Sequence, residues 1–234
     1  MTKSTYILPF LFCLIGICLP AISQETLSKY IKNEDRFNAG LVIGTNIAQI
    51  DGDYFTGYDK YGFVGGIKGI VRILPRLDFN MELLYSKKGS KIPSGNKVGN
   101  DFVKDRIIDL TYMEVPFTFK WLTRNLVNSM HLEAGLVYSR LIDQSITEQF
   151  EDTSNKFLYA SIIDDFEKDD LAAMGGIGFT WNNRWTLHGR FAYSFTRFYE
   201  EEEFTQPQGY SPFALPVEFL RNYQVSLQLS YALF

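Results

Sequence analysis

Beyond residue 36, apolar and polar positions alternate with a period of two across eight stretches of the chain. The apolar phase runs through 39–47, 63–73, 77–85, 113–121, 130–138, 171–181, 185–195 and 223–233, and no charged residue falls on it. The opposite phase carries Lys68, Arg72, Asp78, Glu82, Glu114, Lys120, Glu133 and Arg190, with His131, His188, Gln224, Ser226 and Gln228. Successive side chains of a strand point to opposite faces, so each stretch predicts a strand with one apolar and one polar face. A soluble barrel hides the apolar face in its interior, as a lipocalin-like binder would. A membrane barrel turns it to lipid and keeps polar groups in its lumen.

The connections decide between the two. Segments 48–60, 89–105, 143–170 and 198–218 are long and polar, whereas 75–76, 123–129 and 182–184 are short. An even strand number with alternating long and short links is the layout of an outer-membrane barrel, in which long loops lie outside and short turns face the periplasm. Trp121, Trp181 and Trp185 all fall at the short-turn ends in the apolar phase. Indole rings favour the membrane–water interface, so the three predict a periplasmic aromatic girdle. Tyr85, Tyr138, Tyr193 and Phe195 would stand at the opposite rim. The expectation is an all-β, eight-stranded antiparallel transmembrane up-and-down β-barrel over 37–234.

Residues 1–23 differ from the rest. Lys3 is followed by an apolar run over 6–19, and Ala21-Ile22-Ser23 precedes Gln24. This pattern predicts a cleavable signal peptide, since the apolar run is short for a spanning helix. Residues 24–36 would form a short periplasmic arm. Cys13 and Cys18 both lie in the leader and follow Phe12 and Ile17, which do not suit a lipoprotein acceptor site. The mature chain would then contain no cysteine and no disulfide. A net charge of −4 argues against a nucleic-acid partner.

Several segments resemble the PorT family of Bacteroidota outer-membrane barrels, the outer membrane protein β-barrel domain. They are Ala39-Gly40-Leu41 through Asn46, Gly65-Gly66, the run from Glu82 to Gly89 (ELLYSKKG), Tyr112 to Lys120 (YMEVPFTFK), Glu133-Ala134-Gly135, and Gly175 to Gly178. Cleavage before a glutamine is also similar to exported proteins of that Gram-negative phylum. The resemblance implies an integral location in the cell outer membrane, and a link to protein export through the family's namesake. One feature departs from the pattern: the terminal Phe234 is one step out of the apolar phase carried by Leu233.

Chemistry is sparse. An eight-stranded lumen is only wide enough for side chains to fill, so the eight inward charges predict an ion-pair plug rather than a path. His131 and His188 are expected near the periplasmic end, satisfied by neighbours. A lipid-modifying enzyme would place its histidine near the outer leaflet beside a nucleophile, and no serine lies in a nucleophile elbow. Asp164, Asp165, Glu167, Asp169 and Asp170 cluster in the third loop and Glu200 to Glu203 in the fourth, without the spacing of a calcium loop. Lys87, Lys88, Lys91, Lys97 and Lys104 are expected in a solvent-exposed second loop, where they could also pair with lipid phosphates or with the acidic loops. The glycines at 65, 66, 69, 175, 176 and 178 lie within strands and lack the helix that a dinucleotide motif requires. No catalytic, cofactor-binding or metal-binding residue is predicted, and no cofactor. The expected partners are outer-membrane lipid, lipopolysaccharide and the barrel-assembly machinery, with secretion-system or surface proteins beyond those. A non-enzymatic structural or interaction role is expected, with a passive small-solute pore as the alternative and a lipid-modifying enzyme after it.

Overall fold

The computed structural model describes residues 36–52, 60–92, 97–98, 101–123, 128–150, 162–200 and 219–233. Eight long strands follow in chain order: β1 Phe37–Asp51, β2 Lys60–Leu74, β3 Leu77–Ile92, β4 Asp101–Leu122, β5 Ser129–Phe150, β6 Asp169–Trp181, β7 Trp185–Ser194 and β8 Phe219–Ala232. Each pairs antiparallel with its neighbour in sequence. β1 also pairs with β8, from Gly40↔Ala232 to Asp51↔Arg221, and this closes the sheet. Closure lets the backbone groups of the paired wall bond strand to strand, as a hydrocarbon surrounding requires. The strands belong to one compact unit beginning at Arg36. The predicted leader, the periplasmic arm up to residue 35 and Phe234 lie outside the described residues.

The two faces divide as a membrane barrel requires. Met81 is 51% exposed on the outer wall, whereas the next residue, Glu82, is 1% exposed in the lumen. The same contrast separates Leu132 from His131 and Glu133. The outer wall is therefore apolar and the interior polar, which excludes the lipocalin-like arrangement.

The strands run further outward than the alternation predicts. The segment 89–105, expected as a loop, is largely strand: β3 continues to Ile92 and pairs down to Ile92↔Arg106. Likewise 143–170 is strand as far as Phe150, paired with β4. The reason lies in a change of phase. Over 113–121 the apolar residues of β4 face outward, about nine residues and thus enough to cross the hydrocarbon. Beyond Met113 the apolar residues Tyr112, Leu110 and Ile108 turn inward and are fully buried. Above the bilayer the outer surface meets water, so the ordinary rule of an apolar interior returns. Outward charge appears at the same level: Arg140 and Asp169 pair at 2.7 Å on the outer wall, one step beyond Tyr138 and Leu171. Tyr138 adds a 2.6 Å hydrogen bond to Asp169.

The short turns differ in chemistry. Asn182 and Asn183 both take positive φ (53° and 54°), a conformation that asparagine tolerates better than most residues. The turn lets Trp181 pair with Trp185 across the hairpin. Pro116 lies within β4, where β3–β4 pairing lapses between Met81↔Phe117 and Leu84↔Glu114. A proline has no N–H to give to a ladder.

Candidate functional site in the barrel lumen

Antiparallel register places Arg72, Asp78, Lys120, Glu133, Gly176 and Arg190 in one lateral row across β2, β3, β4, β5, β6 and β7. Sign alternates along the row until Gly176, which has no side chain. Arg190 reaches across that gap to Glu133 at 2.8 Å. On the same row Arg72 Nε lies 3.2 Å from Asp78 and Lys120 Nζ 3.3 Å from it. Arg190 also holds Glu82 with two bonds of 2.7 and 2.8 Å and donates to Gln228 at 2.8 Å. Lys68 lies 3.9 Å from Glu82 and donates to Ser230 at 3.3 Å.

The predicted inward charges thus lie in the lumen, and most are brought together. Glu114 stands apart from the row and pairs with Lys88 at 2.5 Å. That is a correction: Lys88, expected among rim lysines, is 3% exposed inside the barrel. Lys88 keeps the inward phase of Glu82 and Ser86, because β3 continues past Gly89. Asp170 is corrected similarly. Expected in an acidic loop, it is 2% exposed and accepts from Ser194 at 2.8 Å and Thr196 at 2.6 Å. Asp164 and Asp165 lie in a 3₁₀ turn, Ile163–Asp165.

The two histidines meet. His131 pairs with Gly178, and Gly178 pairs with His188, so again a glycine lets the flanking strands touch across it. His131 Nε2 is 3.3 Å from His188 Nδ1, which lies 3.1 Å from Glu133 Oε1. His188 Nε2 lies 3.1 Å from Ser230 Oγ. Both rings are buried, at 1% and 0% exposure. The sequence reading placed both in the lumen but missed their convergence. The signal was available once the register was known, since Gly178 stands between them and Gly176 between Glu133 and Arg190.

Toward the long-loop end the lumen becomes apolar. Ile50, Ile108, Leu110, Tyr112, Leu141, Ile162, Phe166, Phe198, Tyr199 and Leu220 form one buried cluster. Phe166 packs edge-on against Phe198, with ring centroids 5.0 Å apart. Tyr199–Glu200, expected within the fourth loop, is a short strand on Phe219 and Leu220. Asn222 donates to the Tyr112 hydroxyl at 3.0 Å, joining β8 to β4 beneath this cluster.

A closed eight-stranded wall with an apolar exterior and a charged interior accords with the comparison of the chain against known families. The description "Outer membrane protein beta-barrel domain" matches residues 23–200. The chain belongs to that family. It is therefore an integral outer-membrane β-barrel protein. Similar solved structures include Ail, the attachment invasion locus protein of Yersinia pestis, at 10% identity and TM-score 0.41, covering 83% of this chain and 97% of that one. Neisserial surface protein A is similar at 13% identity and TM-score 0.42, covering 86% and 99%. OprG of Pseudomonas aeruginosa is similar at 9% identity and TM-score 0.36, covering 84% and 93%. No curated protein matches the chain.

On the wall of this outer-membrane barrel, Trp121 is 65% exposed at the short-turn end. Trp181 and Trp185 stack there at 6.4 Å and 11°, and Trp185 contacts Tyr231 at 4.7 Å. Tyr85, Tyr138 and Phe195 are exposed toward the other end.

Proposed function

We propose that this barrel is non-enzymatic and non-conducting, and acts as a structural or interaction protein through its outer segments. One observation carries the reading: buried side chains meet inside the barrel at two levels, charged below and apolar above. Two buried ion-pair groups, Arg72–Asp78–Lys120 and Lys68–Glu82–Arg190–Glu133, occupy the lower lumen, and the buried apolar cluster from Ile50 to Leu220 lies above them. An ion entering from outside would first have to displace packed aromatic rings, then separate buried pairs. β4 and β5 continue beyond the apolar belt and offer the partner surface. The histidines argue against lipid chemistry, since they sit at the short-turn end rather than near the outer leaflet. The resemblance to the PorT family supports a partner in protein export. Lipopolysaccharide is the lipid partner proposed for the outer rim, and the barrel-assembly machinery the partner during insertion.

Planar-bilayer recording of the purified, refolded protein tests this. The expected trace has no reproducible unitary steps. Steady conductance with a fixed step size would overturn the reading in favour of the passive pore.

A further inference from the structure

We infer that His131, Glu133 and His188 form a binding site for one divalent transition-metal ion of the zinc class. Three potential donor atoms converge there, His131 Nε2, His188 Nδ1 and a Glu133 carboxylate oxygen, all within 4.8 Å of one another. Two of the separations are 3.3 and 3.1 Å. Ligand atoms about 2.1 Å from a tetrahedral ion lie about 3.4 Å from each other, so these two spacings already suit a shared ion. Two imidazoles and one carboxylate make a borderline donor set, which selects zinc or copper over magnesium or calcium.

Proton counting points the same way. His188 Nδ1 is approached both by His131 Nε2 and by a carboxylate oxygen, which can only accept. With a proton on Nδ1, Glu133 is satisfied, but the lone pair of His131 Nε2 has at most a shared donor. Without one, a lone pair faces the Glu133 carboxylate at 3.1 Å. A cation takes the lone pairs of all three atoms at once.

The surroundings are built to leave room. A Cβ on Gly178 would lie 2.4 Å from His131 Cε1 and 2.5 Å from its Nε2, and one on Gly176 would lie 3.0 Å from Glu133 Oε1. Arg190 donates to both Glu133 oxygens and Ser230 contacts His188 Nε2, contacts of the kind that orient metal ligands from behind. These two are also the chain's complete set of histidines, so no other imidazole in it competes. Three protein ligands leave the fourth position for water. The site stands whether or not the barrel conducts. It would tie β5 to β7 and make the lower lumen sensitive to metal supply.

The test uses full-length barrel, refolded in detergent after chelator treatment and carrying no histidine tag. Cobalt(II) is added as a spectroscopic probe, and zinc is titrated in competition with a chromophoric chelator. One equivalent per chain is expected, with the intense visible bands of tetrahedral cobalt lost on adding zinc. His131→Asn and His188→Gln should each weaken zinc at least tenfold, while retaining the unheated gel mobility of a folded barrel. Should either variant fail to fold, the wild-type cobalt spectrum decides, because it needs no substitution. No saturable binding, a spectrum of fully hydrated octahedral cobalt, or unchanged affinity in both folded variants would overturn the assignment.

Discussion

Arg190 on β7 grips Glu82 on β3 through two hydrogen bonds of 2.7 and 2.8 Å. In a ring of eight strands, β3 and β7 are four apart in either direction, so this bond spans the lumen between opposite walls. The same guanidinium holds Glu133 on β5. One side chain therefore ties three strands that the backbone ladder joins only through their neighbours. Planar bidentate pairing is a property of arginine that lysine lacks.

Arg190→Ala should destabilise the barrel by about 3–5 kcal/mol, because it leaves the buried Glu133 without its arginine and Glu82 with only Lys68 at 3.9 Å. The urea midpoint of the gel-mobility transition reads this. The triple variant in which Glu82 and Glu133 also become glutamine should recover much of the loss. A shift under about 1 kcal/mol for Arg190→Ala would show that water already screens the pair.

Much of the wall was legible in the sequence, for a physical reason. Lipid on one side and a narrow lumen on the other impose opposite demands on alternate residues, and Met81 beside Glu82 shows the demand unblurred. The outer third of the barrel was not legible. Above the bilayer the apolar face turns inward at Tyr112, and charges appear on the outer surface, as in the exposed Arg140–Asp169 pair. A reader following one phase stops there and assigns a loop. Lys88 was misplaced because β3 keeps its inward phase beyond Tyr85, where its run of outward apolar residues ends. The histidine cluster was hidden differently: alternation puts His131 and His188 inside, but their height depends on register, and register depends on every turn between them.

Gly178→Ala tests the row of glycines. The added methyl would lie 2.4 Å from the His131 ring and 2.6 Å from the Leu187 carbonyl oxygen. Overpacking of this kind costs about 1–3 kcal/mol. Gly69→Ala is the matched control, since its Cβ meets nothing nearer than the Met81 carbonyl oxygen at 3.8 Å. Heat-modifiability midpoints should fall for the first and hold for the second. Equal effects would mean that strand propensity, and not room for the imidazole, sets the requirement.

Phe198→Ala should loosen the apolar mouth while leaving the membrane wall closed. Phe198 is 1% exposed and packs on Phe166. Truncating such a ring in a packed core costs about 3–5 kcal/mol. Hydrogen exchange should quicken around Ile108 to Tyr112 and Leu220, with unchanged protection over the belt 113–121 and unchanged unheated gel mobility. Uniform loss of protection along β4 would show that mouth and wall unfold as one unit.

The girdle predicts where the barrel sits in the bilayer. All three tryptophans of the chain, Trp121, Trp181 and Trp185, stand at the short-turn end of the wall. Their fluorescence therefore reports a single depth. An indole at the interface has its ring at headgroup level, with its N–H toward water. Lipids brominated high on the acyl chain should quench the emission more strongly than lipids brominated near the chain end, and aqueous iodide should quench weakly. Trp121, at 65% exposure with β3 and β5 on either side, should contribute most, so Trp121→Phe should remove more of the quenchable signal than Trp185→Phe. Stronger quenching from the chain ends would move the belt toward the short turns by several ångströms. The Arg140–Asp169 pair would then stand well above the lipid, and the level at which β4 inverts would cease to mark the bilayer surface.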